Sequence, residues 1–451
     1  MNGFFAKLVL LAALPLAAQA GTCSRFDAKN STAYDPAAKK ITLPWRTDYP
    51  ASVPSHPPYS WESISFKTSW RRYTDAVLKD VRDSGISINS AGKIRMPAGS
   101  PWWIAPWMDY GSNGRERVNG LTKERSPDPL DLSPTSPGGF DVWAIGWYNS
   151  EGAVGLGKVF ADPCDPVLPA RDAPGLKFPD KTVSFKMLFS NATGLDYLDG
   201  APTVLAKIDR NSRAKRLKLL QVDIAIRDPD ADETDWVMGT FIWKGPARGD
   251  GFLDNLVPVG LMWGNDPNVH DANWGAWAPI KQSRINKDLA GVLWQGTPGS
   301  WLHRPFPGFQ GRLNGPADNM RSSCLSCHAL AQWPRNPTLS IVPTYPVGPN
   351  GPQPPLSEAD IEKNVSDYFR NTRGGDLVDP TFPARPLDYS LQLEAGLTRM
   401  CQACKEGKLL GPTPKLCNEA PTRYRVTAPA CDLPLLRRVF MNRIEDDPPR
   451  Q

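Results

Sequence analysis

Between Asp141 and Met262 the hydrophobic residues recur with a period of two. In TVSFKMLFS, Val183, Phe185, Met187 and Phe189 alternate with polar or small neighbours; in LLQVDIAIRD, Leu220, Val222, Ile224 and Ile226 do the same. Successive side chains of a strand point to opposite faces, so this pattern fits half-buried strands and no helix. The runs DWVMGTFIW and LVPVGLMW are also β-rich and are bounded by Gly, Pro and Asp. Several short strands separated by turn residues predict an antiparallel, sandwich-like β-rich domain.

The period changes on either side. Ser69 to Asp83 places Tyr73, Val77, Leu78 and Val81 on one helical face. Beyond Pro355, LSEADIEKNVSDYFRN offers Ser357 as an N-cap with Ile361, Val365, Tyr368 and Phe369 on one stripe. LQLEAGLTRMCQAC aligns Leu393, Leu397, Met400, Cys401 and Cys404, and Leu436, Val439 and Phe440 suggest a last short helix. All 16 tryptophans lie between Trp45 and Trp333, so composition shifts near Cys324. With 47 prolines in 451 residues, much of them in loops such as VPTYPVGPNGPQPP, the connections are long and irregular. The predicted fold class is therefore α+β and multidomain. Residues 21–314 form a β-rich, Trp-rich domain, and residues 315–451 form a small α-helical domain with long Pro-rich loops.

The first 20 residues read as an export signal. Lys7 precedes an apolar run from Leu8 to Ala18, and Ala18-Gln19-Ala20 is a small-x-small cleavage site. The run is too short to span a bilayer, and no later segment reads as transmembrane. A periplasmic or otherwise exported protein is expected. The formal charge of +5, from 52 basic and 47 acidic residues, is too small to indicate nucleic-acid binding.

Compartment decides how to read SSCLSCHALAQW, in which Cys324 and Cys327 are followed at once by His328. C-x-x-C-H is the attachment signature of c-type haem: two cysteines three apart form thioethers to the vinyl groups, and the adjacent imidazole faces the iron. From the chain's composition, such a match arises by chance about once in a thousand sequences. A structural zinc site would draw on a second pair such as Cys401 and Cys404. A redox dithiol would sit in a βαβ setting, which this stretch lacks. With these residues at its centre, the C-terminal third of the chain resembles the c-type cytochromes. The longer run GRLNGPADNMRSSCLSCHALAQ is similar to large exported bacterial proteins that carry one such motif behind a long N-terminal region.

That resemblance implies one covalent haem c, held by Cys324 and Cys327 and ligated by His328, with one-electron transfer as its function. The redox partner is not named by the sequence. Of the four histidines, His56, His270 and His303 all precede the motif. A distal ligand from the tail is then Met400 or Met441, with His303 or His270 as further candidates from the β-rich region. Met320 falls on the attachment side. An open distal face would instead give a haem enzyme of peroxidase-like type, and a third alternative is a ligand-binding protein with a sensory or structural haem.

Six cysteines remain, namely Cys23, Cys164, Cys401, Cys404, Cys417 and Cys431, which in an exported protein suit three disulfides. Four of them crowd the tail. CQACK also resembles the C-x-x-C-K attachment motif of some multihaem nitrite reductases, which would make Lys405 a ligand. The acids from Asp228 to Asp235 fail as a calcium loop, with Glu233 where glycine is required, and read as a solvated turn. KIDRNSRAKRLK reads as an exposed basic hairpin loop, and the Trp102, Trp103 and Trp107 cluster as core anchored by large rings.

Overall fold

The computed structural model describes residues 43–420, except 109–113, 163–164, 209–212, 246–250, 252, 270–279, 295–306, 321, 337–338, 340–346, 349–350, 353–367 and 407–412. The first 20 residues, expected to be an export signal, and Cys23, Cys164, Cys431, His270, His303, Met441, Ser357, Ile361, Val365, Leu436, Val439 and Phe440 lie outside the described residues.

The alternating runs do form strands. In chain order the main elements are α1 (Phe66–Asp83), β1 (Thr122–Lys123), β2 (Val142–Tyr148), α2 (Ser150–Val159), β3 (Val183–Ser190), β4 (Thr203–Ala206), β5 (Lys215–Arg227), β6 (Trp236–Trp243), β7 (Leu256–Met262), β8 (Ser283–Ile285), α3 (Cys324–His328) and α4 (Leu391–Lys405). The eight strands make one sheet in the order β8-β7-β6-β5-β3-β2-β1, with β4 off that path and paired to the first residues of the long β5, Lys215–Lys218. Every neighbouring pair is antiparallel.

The β-rich expectation holds, but not its sandwich form. Among the described residues the other strands form only two-residue pairs, and no second large sheet faces the first. Helices and loops cover both faces instead. On one face Trp143, Ile145, Trp147, Phe185, Met187, Phe189, Val222, Ile224 and Ile226 pack with Trp45, Trp61, Trp102 and the α1 stripe of Tyr73, Val77, Leu78 and Val81. The rings interlock: Trp147 stacks on Phe185 at 4.9 Å between centroids, and Trp45 and Trp102 meet Trp147 and Phe185 edge-on at 5.4 and 4.6 Å. Aromatic pairs of this geometry add to the gain from burying their area. A layer of large rings closes that face without another sheet.

The opposite face carries the C-terminal segment and α2. Leu188, Leu220, Met238 and Ile242 of the sheet share one apolar cluster with Leu325, Leu330, Trp333, Leu393, Leu397 and Met400. Asn149 caps α2, its Oδ1 accepting from the Gly152 and Val183 amides. Gly155 of that helix lies where a Cβ would come within 2.2 Å of the Phe178 ring, so the close approach needs glycine. Around α4, Cys401 is bonded to Cys417, 16 residues on. Cys404 is also disulfide-bonded, to a partner outside the described residues. Both thiols of CQACK are thus committed to bridges, and a second haem there has no attachment sulfurs.

Two smaller expectations gain detail. The acidic run is a turn, but its first acid is not free in solvent, since Asp228 accepts a hydrogen bond from the Tyr73 hydroxyl at 2.9 Å. Trp102, Trp103 and Trp107 are all buried, as anchors of the core. No helix among the described residues is long and apolar enough to cross a membrane.

Candidate functional site

The serines ahead of the motif set its local structure. Ser323 caps α3 by accepting from the Ser326 amide, and Ser326 Oγ accepts in return from the Ser323 amide, each at 3.0 Å. This reciprocal capping box stabilises a helix of only five residues. Ser323 Oγ also donates to Asn265 Oδ1 at 2.6 Å, which ties the cap to the loop after β7. Spacing of three puts Cys324 and Cys327 on one side of the helix. Both are free thiols, and with His328 they line a cavity of about 390 Å³ between α3, α4 and the sheet.

His328 is oriented from behind. Its Nδ1–H donates to the Tyr389 carbonyl at 3.0 Å, which leaves Nε2 as the ring's donor to a metal. Burial pushes the His328 pKa down, against the opposing pull of that carbonyl, and favours the neutral ring that a ligand requires. Tyr389 is itself fixed: its φ is positive at 66°, and its hydroxyl donates to the Thr372 carbonyl at 2.6 Å. Burial, then Asp318, pushes the Cys324 thiol well up, and burial lifts Cys327 to about 12. The two sulfurs are therefore neutral thiols at ordinary pH, unlike the lowered thiols of a redox dithiol.

The cavity floor is the second face of the sheet, and two cross-strand rows run over it. Gly146, Lys186, Asp223 and Thr240 stand opposite one another across β2, β3, β5 and β6. Tyr148, Ser184, Ala225 and Met238 form the next row. The small side chains of Gly146, Ser184 and Ala225 hold the floor back and make the depression. α4 supplies a wall through Leu391, Gln392, Ala395 and Arg399, and Met108 lies beside Arg399, whose guanidinium donates to the Met108 carbonyl at 2.5 Å.

The floor is ionisable. Lys186 Nζ pairs with Glu124 at 3.1 Å. Burial alone would lower the lysine's pKa, but Glu124, Asp223 and Asp318 outweigh it and hold it above its ordinary value. Burial, then the neighbouring Asp318, pushes the Asp223 carboxyl up to about 7. Tyr148 is raised to about 12 by burial while its hydroxyl is hydrogen-bonded to Ser390 Oγ at 2.8 Å.

Cys324, Cys327 and His328 are thus brought together on one cavity. Met400 is not part of the cavity wall: it is fully buried in the apolar cluster on the Leu393–Leu397–Cys404 stripe of α4. The methionines that line the cavity are Met108 and Met238, neither of which the sequence singled out. His56, far from the motif in sequence, bonds Glu151 and the Pro57 carbonyl. Among the described residues no three His, Cys, Asp or Glu side chains gather into a metal-holding group, and the second pair that a zinc site would draw on is in disulfides.

The residues present fit a haem c. Two free thiols three apart, an imidazole already bonded at Nδ1, and a recess floored with small side chains are what its attachment and housing demand. No family model, curated protein or solved structure matches the chain.

Proposed function

We propose that the chain is an exported c-type cytochrome with one haem, bound through thioethers to Cys324 and Cys327 and ligated by His328, whose task is one-electron transfer. The observation that carries this reading is the hydrogen bond from His328 Nδ1 to the Tyr389 carbonyl, on the same cavity that two unpaired thiols face. Once bound, the haem supplies an iron that cycles between Fe(III) and Fe(II).

The chain's own residues do the rest. Tyr389 holds the imidazole in one tautomer and orientation. The sheet floor and α4 wall the recess. Met108 and Met238 are the cavity's candidate distal sulfurs, and a thioether there raises the potential.

One observation favours a second reading. Lys186 and Asp223, the latter hydrogen-bonded by Thr240, place acid–base groups on the cavity floor, where a haem enzyme with an open distal face, of peroxidase-like type, would use them. Expression in a host with haem-maturation machinery, followed by a pyridine haemochrome and intact mass, is expected to give one covalent haem per chain. A colourless protein without the added mass rejects both readings. The ferric spectrum separates them: low-spin with a weak red-edge band for a methionine ligand, high-spin and ready to bind cyanide for an open face.

A further inference from the structure

Gln221 sits between two carboxylates. Its Nε2 donates to Asp223 Oδ1 and Oδ2 at 2.8 and 3.0 Å and to Asp318 Oδ2 at 3.1 Å. Its Oε1 accepts from the Ala317 amide at 3.0 Å, which fixes the amide so that its NH2 end faces the acids. Gly315 allows this approach, because a Cβ there would lie 2.1 Å from Gln221 Nε2. Thr240 Oγ1 donates to Asp223 Oδ1 at 2.8 Å. Both carboxylates line the same cavity as Cys324 and Cys327.

We propose that the Asp223–Gln221–Asp318 bridge is a proton-exchange site coupled to the redox state of the cavity. When an external one-electron donor delivers an electron, the bridge takes up one proton from solvent, and it returns that proton on oxidation. The inference rests on the haem reading above.

The reason is electrostatic. Two carboxylates that share one NH2 group in a half-buried recess cannot both ionise without strong repulsion, so one of them retains a proton into the neutral range. Among the described residues no lysine or arginine comes within ion-pair distance of either. Lys186 and Arg125 act on the pair only at longer range, since Lys186 is paired with Glu124 and Arg125 with Asp128 and Asp131. The other titratable groups facing the pair are Cys324, Cys327 and His328 of α3. Thioether formation and ligation remove all three from titration. An electron added to the cavity disfavours the ionised pair further, and by linkage the proton affinity of the bridge changes with oxidation state by about tenfold.

The test is the midpoint potential of the holoprotein between about pH 5 and pH 9, together with the haem count. In the unaltered protein the potential is expected to fall as pH rises through neutrality, because the oxidised form releases the proton. Asp223→Asn should flatten that dependence while the ferric spectrum stays native. Glu394→Gln is the control. Burial lifts Glu394 to about 7 as well, but it sits beside Arg335 rather than on the cavity. Its replacement should leave the dependence in place. A potential independent of pH overturns the proposal, and so does a native-spectrum Asp223→Asn that keeps the full slope. If Asp223→Asn does not hold haem, Asp318→Asn should move the dependence to lower pH, and an unmoved curve counts against the bridge. An absent haem defeats the underlying assignment instead, which the haemochrome distinguishes.

Discussion

The two faces of the sheet are built from the same strands, one residue out of step. Trp143, Ile145 and Trp147 alternate along β2 with Ala144, Gly146 and Tyr148. Phe185 and Met187 alternate along β3 with Ser184 and Lys186, and Val222, Ile224 and Ile226 along β5 with Asp223 and Ala225. The first set is fully buried under α1 and the N-terminal tryptophans. In the second, Ser184, Lys186, Asp223 and Ala225 are only partly buried although they lie in the middle of an eight-stranded sheet. One face spends its volume on large rings and supplies stability, and the other withholds volume and leaves a recess. The lesson is a division of labour by parity.

That comparison can be broken most forcefully on the aromatic face. Trp147 is fully buried between Trp45 and Phe185. Trp147→Ala removes a ring whose neighbours are fixed by the α1 layer and cannot collapse into the space. The expected loss is about 3–5 kcal/mol of unfolding free energy, read by denaturant titration. A cost under about 1 kcal/mol would show that the layer is loosely packed.

The mirror experiment is on the other face. Ser184→Phe points a ring into the recess between Tyr148 and Ala225, where free volume rather than a packed core receives it. Its cost is expected to stay near the low end of the about 1–3 kcal/mol of ordinary overpacking, while haem incorporation per folded chain drops sharply. Thermal melts of the unloaded protein and haem content of the matured one are read side by side. Loss of stability with unchanged haem content would reverse the roles assigned to the two faces.

The alternation was legible in the sequence, and so were the strands, the α1 stripe and the Cys324–Cys327–His328 triplet that meets at one cavity. The use of the polar parity was not. Polar and small residues between Phe185, Met187 and Phe189 read as a solvent face, since period two says which residues share a side and not what covers it. Here the cover comes from two stretches far along the chain, around Asn314–His328 and Asp388–Arg399, whose side chains turn that face into a cavity floor. One signal was available: Ala144, Gly146, Ser184 and Ala225 are small, whereas a solvated face usually carries longer polar chains. The second sheet expected of a sandwich failed for a related reason. The Trp102, Trp103 and Trp107 cluster was visible as core, but nothing in the spacing of the tryptophans shows that a layer without strands can seal a sheet. Met400 was placed on the right buried stripe of its helix, yet a stripe does not reveal which neighbour it meets, and the lining methionines come from Met108 in an irregular segment and Met238 in β6.

The smallest expected effect falls where the two regions meet, at the cap of α3. Ser323 joins α3 to the sheet by accepting from the Ser326 amide and donating to Asn265 next to β7. Ser323→Ala removes both bonds and is expected to cost about 1 kcal/mol, the usual price of losing an N-cap. A helix of five residues has no propagation to fall back on, so that loss should be felt locally, as fraying around Cys324, more than globally. The measurement is hydrogen exchange across residues 323–329 in the unloaded protein, with the sheet amides as internal reference. Faster exchange in α3 at unchanged protection in β3 and β5 locates the cap as the hinge between recess and sheet. Equal acceleration in both would mean that α3 and the sheet unfold as one cooperative unit, and that the two faces are less independent than their side chains suggest.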